Sequence, residues 1–431
     1  SIYCKYCTVV VVVVVFVLGF IDVFVTNYSK TMGDGIPSWL DEKFLAASLQ
    51  GEQCNEPKVS IFNFKIAPPT TIDGYSSDIF RVHVNYRREH CTQEQSKYLV
   101  VKVPDSTGLI NILLGPISCE KEHLCYKVLL PKMMSKVKCA FAAESFHSIV
   151  DKVIVMEDLG KEYRLADRSK QLDFEHCKLV WATLAKYHAS SVAIHDKNKE
   201  VIDFVATEVF FPEGGVLRQW IELGNRTLGE SLEKKGHKEY ADVFLSRIEN
   251  IWDNLVENVK PQPGRLNVLN HGDLWLNNLF FKYNEAKEPV EVRFIDFQAS
   301  RYSLPVMDLV YFLYGNAQYD VREYRQKELY SHYLEVLNRT LEELGRSERF
   351  TEQQLKEDLK SSIPWFIGIL IFSVSLIVFS EFTHELPFNG LVADDFVSGK
   401  ANPAILHALQ GEEFNSRLPH YVRQYLAFIE S

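Results

Sequence analysis

Hydrophobic residues recur at two different spacings along this chain. β-Branched and aromatic residues alternate with polar ones in residues 59–67, 78–86 and 98–103, and this alternation predicts three strands of an antiparallel sheet. A helical spacing begins at Ile36 and predicts a short amphipathic helix ahead of the strands. Later in the chain helical spacing prevails, most clearly in residues 173–194. The pattern therefore predicts an α+β protein in which a small sheet region precedes a larger, mostly helical one.

Residues 268–308 carry the clearest chemical signal. A His-Gly-Asp motif ends at Asp273, Asn278 follows five positions later, and an apolar strand then ends at Asp296. Five positions allow a loop to turn the aspartate to a substrate while the asparagine faces a metal ion, and the charged turn at 282–291 would join two antiparallel strands. Phosphoryl transfer uses such a carboxylate at the acceptor hydroxyl, with an amide and a second carboxylate on Mg²⁺. The alternative is that both aspartates are turn residues that cap neighbouring elements.

The sequence of this segment, HGDLWLNN followed by a strand that ends in DFQ, resembles the catalytic loop of aminoglycoside phosphotransferases and choline kinases. It is more closely similar to the insect ecdysteroid kinase-like family, also called CHK kinase-like, and the resemblance covers nearly all of residues 36–425. It implies a two-lobed protein-kinase-like fold with a small antiparallel-sheet N-lobe and a larger, mostly helical C-lobe. It also implies that Asp273 is the catalytic base and that Asn278 and Asp296 bind Mg²⁺. His271 would brace the loop.

The same resemblance assigns the ATP phosphates to the stretch PPTTIDGYSSDIFRV, residues 68–82. Tyr75, Ser77 and Arg81 match the family pattern, whereas Ile72 stands where that pattern has its leading glycine. Taken without the resemblance, the stretch is equally well an ordinary hairpin turn. The residues expected to contact ATP here are Gly74, Tyr75, Ser76 and Ser77.

A single lysine, Lys102, lies near the end of an apolar strand, where a charge is out of place unless it reaches a partner. One interpretation is the lysine that binds the ATP phosphates and pairs with a helix glutamate. The family pattern has a glutamate four residues before a tyrosine, which selects Glu122 over Glu120 as that partner. The other interpretation of Lys102 is an edge-strand lysine that discourages aggregation.

Residues 150–159 form a hydrophobic stretch that ends in Glu157-Asp158-Leu159. In the kinase fold this place is the hinge, so the resemblance implies that backbone groups of Glu157 and Leu159 bind the adenine edge. The lobe boundary is therefore expected here, with an ATP-binding N-lobe at residues 32–159 and a C-lobe at 160–431 that holds the catalytic loop and the acceptor pocket. A plain strand and turn would have the same pattern.

Several features of the C-lobe concern the acceptor and the core. Only 12 positions separate Asp296 from Asp308, too few for the activation segment in which protein kinases hold a peptide.

Asp308 is predicted to cap the next helix or to brace the loop, and His188 is predicted to be a core histidine with a partner. Residues 190–263 supply either an acceptor pocket or ordinary core, through Phe204, Phe210, Phe211, Trp220 and Trp252.

The activity that the resemblance implies is transfer of the γ-phosphoryl group of ATP, with Mg²⁺, to a hydroxyl of a small molecule. A steroid-like (ecdysteroid) alcohol, or a xenobiotic alcohol under detoxification, is the expected acceptor, and a choline or ethanolamine-type acceptor is the alternative. Because Ile72 departs from the family pattern, a nucleotide-binding pseudokinase is one further alternative. The valine-rich run at residues 9–21 and the apolar segment at 362–382 leave a membrane-anchored interaction protein as another.

Composition narrows the partners. The 431 residues are 46% hydrophobic and carry a net charge of −10, which indicates a globular protein and argues against a nucleic-acid partner. Eight cysteines are scattered through a long chain, a distribution more typical of reduced thiols than of a disulfide framework. We expect a cytoplasmic monomer.

Two apolar segments bear on localisation. The valine-rich run at residues 9–21 is shorter than the ~20 residues of a membrane span. Because the first methionine is Met32, residues 1–31 are interpreted as an upstream translation artefact, with a signal anchor as the alternative. A membrane anchor or secretion is expected only if this leader is genuine. Residues 362–382 are predicted to form a buried core helix rather than a membrane span.

Overall fold

The computed structural model describes residues 35–52, 57–67, 77–104, 117–215, 217–378 and 403–431. The leader at 1–31, Met32, and Ile72 with Gly74, Tyr75 and Ser76 of the predicted phosphate loop lie outside these ranges. Contacts divide the chain into two compact units. One consists of the described residues up to Cys119 together with Ser145–Asp158, and the other of Glu120–Glu144 together with the described residues from Leu159 onward.

This division differs from the lobe boundary that the sequence suggested. Residues 120–144 were expected in the N-lobe, but their contacts group them with the second unit. The reason is local packing, because the helix Leu130–Val137 lies against the long helix Phe174–Ile194.

The first unit is one helix packed on one antiparallel sheet. Helix α1 (Glu42–Gln50) begins at Glu42 rather than Ile36, because the Asp41 carboxylate accepts a hydrogen bond from Phe44 N at 2.8 Å and caps the helix. The strands are β1 (Val59–Ala67), β2 (Ser77–Arg88), β3 (Gln95–Pro104), β4 (Ser145–Phe146) and β5 (Ile154–Glu157), in the spatial order β1-β2-β3-β5-β4. All pairings are antiparallel, so the predicted three-stranded antiparallel arrangement is confirmed and extended.

Lys102 lies inside this sheet. It stands opposite Ile79 of β2 and Ile154 of β5, and so has a strand on each side. The interpretation of Lys102 as an edge-strand lysine is therefore wrong. Its neighbours Val101 and Val103 are buried on the core face, and Lys102 projects from the other face.

The second unit is mainly helical, with short strands that carry the site. Its helices begin with the part of α2 (Ile117–Leu124) that follows Cys119, and α2 continues through a π-helical turn, Cys125–Leu129, into α3 (Leu130–Val137). They continue with α4 (Phe174–Ile194), α5 (Lys199–Val205), α6 (Arg218–Lys234), α7 (Lys238–Leu245), α8 (Ile251–Val259), α9 (Val306–Asn316), α10 (Gln326–Glu343), α11 (Glu352–Ser361), α12 (Ile363–Ile369), α13 (Pro403–Gln410) and α14 (Glu412–Glu430). The strands are β6 (Arg164–Leu165), β7 (Val268–Asn270), β8 (Leu279–Tyr283), β9 (Pro289–Phe294) and β10 (Arg301–Ser303).

Helix α4 occupies the centre of the second unit. Asp173 caps it by accepting from His176 N at 3.0 Å, which places the helix where the sequence predicted it. The sequence expected one apolar face, yet Cys177, Trp181 and Tyr187 are all less than 1% exposed. Helices α3 and α10 and strands β7 and β9 contact it, so nearly every face of α4 is covered.

Two small sheets bring the chemical segments together. Strands β8 and β9 form the predicted antiparallel hairpin, with Leu279 opposite Phe294. Strands β7 and β10 also pair antiparallel, with Asn270 opposite Arg301. The loop after β7 and the segment after β9 are thereby fixed at neighbouring strand ends.

The apolar segment near residue 370 forms a helix of the second unit. Helix α12 continues through a second π-helical turn, Leu370–Val374, and most of its side chains are buried, as expected of a core helix. Within the described ranges, no single helix has the length and apolar character of a membrane span. Glu352–Ser361 and Ile363–Val378 reach that threshold only as a pair, which is bent by 62°. Residues 379–382 of the predicted helix lie outside the described residues.

Candidate active site

The loop after β7 depends on one glycine. Gly272 has φ +86°, and a Cβ built there would lie 2.1 Å from the carbonyl oxygen of Ala299. Any side chain would collide with backbone, so only glycine permits this approach. The His-Gly-Asp motif therefore lies directly against the chain that follows Asp296.

A buried aspartate holds the backbone of the loop. Asp308 accepts hydrogen bonds from His271 N at 2.7 Å and from Gly272 N at 2.8 Å. Pro305 occupies the N-terminal cap of α9, so Asp308 is a brace for the loop and the N-cap alternative is wrong. Burial alone would raise the pKa of Asp308, but the hydrogen bond from His188 and the backbone N–H of Gly272 hold it below its ordinary value.

His188 completes this brace. Its ring shares hydrogen bonds with Asp308 Oδ2 at 3.2 Å and with the Tyr333 hydroxyl at 2.7 Å, and the side chain is fully buried. The prediction of a core histidine with a partner is confirmed. Burial lowers the pKa of His188, so the ring is neutral at physiological pH and its role is to orient the aspartate.

His271 joins the two chemical segments. Its Nε2 lies 2.9 Å from the carbonyl oxygen of Ile295, and Ile295 N donates to the carbonyl oxygen of Asn278 at 3.1 Å. The residue before Asp296 is thus tied to both ends of the loop. His271 braces the loop as the resemblance implied.

Both carboxylate oxygens of Asp273 are engaged. The Tyr311 hydroxyl donates to Oδ1 at 2.6 Å, and the Asn278 amide donates to Oδ2 at 3.2 Å and to the main-chain carbonyl oxygen at 2.9 Å. The net effect of the surroundings raises the pKa of Asp273 to about 6: burial is the main cause and the nearby charge of Asp296 adds to it, against the lowering effect of the hydrogen bonds from Tyr311 and Asn278. A carboxylate with this pKa is ionised at neutral pH and is basic enough to accept a proton.

The residues predicted to bind Mg²⁺ have suitable donors. Because the Asn278 nitrogen donates to Asp273, the Oδ1 end of that amide faces away from the base. Asp296 adopts a left-handed backbone conformation, φ 66°, immediately after the segment that His271 anchors. No cluster of three His, Cys, Asp or Glu residues able to hold a metal occurs among the described positions. Mg²⁺ in kinases is completed by substrate phosphates and water, so one amide oxygen and one carboxylate fit that ion.

Two site residues escaped the sequence analysis. Tyr311 lies one helical turn after Asp308 on α9, and so faces the same loop. The spacing Asp308-x-x-Tyr311, once Asp308 is recognised as a brace, is the signal that could have identified it. Arg301 of β10 is 1% exposed, and its charge lowers the pKa of Asp273. It came to notice only through the fold, since in sequence it is one arginine among many.

The predicted nucleotide contacts are divided between the two units. Ser77 begins β2, Lys102 is in β3 and Glu157 ends β5, all in the first unit. Glu122 and Leu159 are buried residues of the second unit. The Leu159 carbonyl accepts from Tyr163 N at 2.8 Å and is engaged within its own turn. The ion pair of Lys102 with Glu122 and the ATP contacts of all these residues stay predictions.

The predicted pocket aromatics are largely core. Phe211, Trp220 and Trp252 are buried, whereas Phe204 and Phe210 are only partly so. Phe211, Trp220 and Trp252 are therefore ordinary core residues, and an acceptor pocket that involves Phe204 and Phe210 stays a prediction.

Comparison with known proteins agrees with this geometry. The sequence profile of the ecdysteroid kinase-like family matches residues 71–346, more than half of the chain. Together with the fold and the site, the match defines a kinase-like phosphotransferase of small molecules. Within that class, the chain belongs to the ecdysteroid kinase-like family, and the two-lobed kinase-like α+β fold expected from the sequence is confirmed.

Solved structures give a weaker likeness. A Ralstonia eutropha JMP134 protein assigned to the aminoglycoside phosphotransferases is 13% identical, with a TM-score of 0.41 over 90% of this chain and 98% of its own. A microcompartment-associated aminopropanol kinase is 12% identical, with a TM-score of 0.38 over 84% of this chain and 94% of its own. No curated protein matches the sequence. Likenesses at this level add nothing to the family assignment, which rests on the profile match.

Proposed function

We propose that this protein transfers the γ-phosphoryl group of ATP to a hydroxyl of a small molecule, and that the acceptor is a steroid-like (ecdysteroid) or xenobiotic alcohol. Membership of a kinase-like phosphotransferase family implies ATP as the phosphoryl donor. The observation that carries the proposal is the geometry at Asp273, a carboxylate that accepts hydrogen bonds from Tyr311 and Asn278 on the loop braced against the segment of Asp296.

Asp273 is the base in this proposal. Its carboxylate accepts the hydrogen bond of the incoming hydroxyl, orients that oxygen and takes up its proton as the phosphoryl group is transferred. Tyr311 and Asn278 hold the carboxylate in one orientation, which matters because phosphoryl transfer depends mainly on positioning and charge stabilisation. The hydrogen bonds that the Asp308 carboxylate accepts from His271 N and Gly272 N hold the backbone of the loop in place.

Asn278 Oδ1 and Asp296 are the groups that would hold Mg²⁺. When bound, the ion neutralises charge on the phosphates. The proposal also keeps the predicted ATP contacts of Gly74, Tyr75, Ser76, Ser77, Glu157 and Leu159, and the phosphate-binding role of Lys102 paired with Glu122. The short segment between Asp296 and Asp308 supports a small acceptor. Strand β10 begins only five residues after Asp296, so the segment has no room to form a peptide-binding site.

A phosphorylation screen with Asp273→Asn tests the proposal. Wild-type protein is incubated with Mg-ATP and a panel of alcohols, and phosphorylated product is detected by mass spectrometry. Wild-type protein should phosphorylate at least one alcohol, and Asp273→Asn should abolish turnover while ATP affinity, measured by calorimetry, stays within about twofold, because the base does not contact ATP in its ground state.

Asp242→Asn is the matched control. Asp242 is an exposed carboxylate on α7 of the same unit, so its substitution should change neither turnover nor ATP affinity. Full turnover in Asp273→Asn would refute the assignment of the base. ATP bound without any phosphorylated product from the wild type would favour the pseudokinase alternative.

Location and assembly belong to the same proposal. We infer a cytoplasmic monomer, on the acidic charge and scattered cysteines of the chain. Cys91, Cys125, Cys139 and Cys177 are free thiols, and Cys4, Cys7 and Cys54 lie outside the described residues. Sedimentation of the purified protein measures the assembly directly.

A further inference from the structure

Tyr311 links the base to a distant helix. The π-helical turn that carries Ser373 contacts helix α9, which carries Tyr311, the residue whose hydroxyl donates to Asp273. Ser373 belongs to the π-helical turn Leu370–Val374, a rare local geometry that is often associated with functional sites. Ile371, Ser373 and Val374 are buried, whereas Phe372 is only partly buried. The side chain that this turn leaves accessible is therefore the aromatic ring of Phe372, the residue before Ser373.

Phe372 has an aromatic neighbour. Its ring centroid lies 5.7 Å from that of Phe210, which is also partly exposed. The buried ring of Phe211 contacts both, at 6.3 Å from Phe210 and 6.1 Å from Phe372. Phe210 and Phe372, called the aromatic pair below, thus pack against the buried ring of Phe211, while part of each ring is exposed to solvent. Open aromatic surface on a rigid support is typical of small-molecule sites.

A second connection ties Phe210 to the base. The Glu208 carboxylate accepts from the backbone N–H groups of Phe210 at 2.9 Å and Phe211 at 3.2 Å. Arg301 donates to the same carboxylate from Nε at 2.8 Å, and in the β7–β10 pairing it stands opposite Asn270, the residue before the His-Gly-Asp motif. The aromatic pair therefore reaches the segments around Asp273 by two routes, through the contact of the π-helical turn with α9 and through Glu208 and Arg301.

Charge around the aromatic pair disfavours a cation. Glu208 is compensated by Arg301 and by Lys121, which is fully buried and donates to the carbonyl oxygen of Thr207 at 2.7 Å. Burial lowers the pKa of Lys121 to about 8, so it is still largely charged at neutral pH. The carboxylate nearest the rings is thus neutralised by two cations. A quaternary amine beside Glu208 would therefore gain no anionic partner that is not already paired.

We propose that the aromatic pair is the subsite for the apolar body of a neutral acceptor alcohol, which holds the acceptor hydroxyl at Asp273. This inference rests on the proposed phosphotransferase function and identifies the residues that select the acceptor. The rings contact the carbon skeleton, and Asp273 receives the hydroxyl proton. The specificity of the reaction then resides in residues that take no part in the chemistry.

Steady-state kinetics with ecdysone, a neutral steroid alcohol, tests the subsite. Phe210→Ala and Phe372→Ala should each raise the KM for ecdysone by about 10-fold or more, the effect expected for losing a buried ring contact. The KM for ATP should not change, because the rings are not assigned to the nucleotide. Tyr324→Ala is the matched control, since this ring of the same unit is 73% exposed and, within the described part of the chain, makes no ring contact with Phe210, Phe211 or Phe372. Phe372→Leu should recover part of the loss.

The outcomes separate the subsite from the phosphotransferase activity. Phosphorylation of ecdysone with an unchanged KM in both alanine variants would overturn the subsite and leave the proposed function intact. Choline turned over in preference to ecdysone, without sensitivity to either ring, would also overturn it. If the wild type phosphorylates no alcohol, calorimetry with ecdysone, Mg²⁺ and a non-hydrolysable ATP analogue decides. Binding that is lost in the double variant supports the subsite, and absence of binding to the wild type refutes it.

Discussion

The two sides of Asp273 are built from different kinds of chain segment. On the chemical side, His271, Asp273, Asn278, Ile295 and Asp308 belong to one continuous stretch and are joined by hydrogen bonds. On the aromatic side, Phe210 and Phe372 come from two distant stretches and meet through ring packing, and Glu208, which accepts from Phe210 N, links them to Arg301 of the chemical stretch. A braced, local segment suits chemistry that tolerates little change of geometry. If the two rings bind the acceptor as proposed, they can be changed with little effect on the hydrogen bonds of Asp273.

The largest effect should come from the brace itself. Asp308→Ala would leave two buried backbone N–H groups and the His188 ring without their acceptor, and we expect the free energy of unfolding to fall by about 3–5 kcal/mol, the range for breaking a buried charged network. Urea denaturation measures the loss, with Asp242→Ala as the exposed control. Turnover should fall in parallel, because the loop backbone is released. A stable and fully active Asp308→Ala protein would show that the chemical side is not braced in this way.

Gly272 tests how closely the loop approaches the chain after Asp296. Gly272→Ala combines a positive φ with a Cβ that would lie 2.1 Å from Ala299 O, and should lower the free energy of unfolding by about 2–3 kcal/mol. Gly345→Ala is a matched control, since Gly345 has φ +72° with nothing within 4 Å of its Cβ position. It should show the conformational strain alone, about 1 kcal/mol. Equal losses in the two variants would argue against the close approach.

The smallest effect is expected where the two sides meet, at Tyr311. Its hydrogen bond favours the ionised carboxylate, so Tyr311→Phe should raise the pKa of Asp273 above its value of about 6. Since the base acts when ionised, the acidic limb of kcat/KM should move to higher pH. The loss should be about 5-fold near pH 6, approach about 10-fold below pH 5 and shrink above pH 8, because removing a hydrogen bond to a charged group shifts the pKa by about one unit. A merely structural loss would instead lower kcat/KM equally at every pH. Tyr324→Phe should leave the profile unchanged.

Much of this site could be predicted because its determinants are close in sequence. The three strands of the first sheet, the β8–β9 hairpin, the long helix α4 and the His188 partner followed from spacing and residue type. Other features depended on what lies beside each segment. Lys102 is interior because β5 returns to pair with β3, and residues 120–144 join the second unit because α3 packs on α4. Neither neighbour can be inferred from local pattern alone.

The sequence by itself determined the chemical segment and its order, since glycine, histidine, aspartate and asparagine at fixed spacing have few other uses between apolar strands. Only the tertiary structure decided that Tyr311 contacts Asp273, that Asp308 braces the loop rather than capping a helix, and that Phe210 meets Phe372. The physical reason is the range of the interactions. Hydrogen bonds within a loop are set by its own residues, whereas aromatic packing and the pKa of a buried carboxylate are set by whichever distant segments the fold places against them.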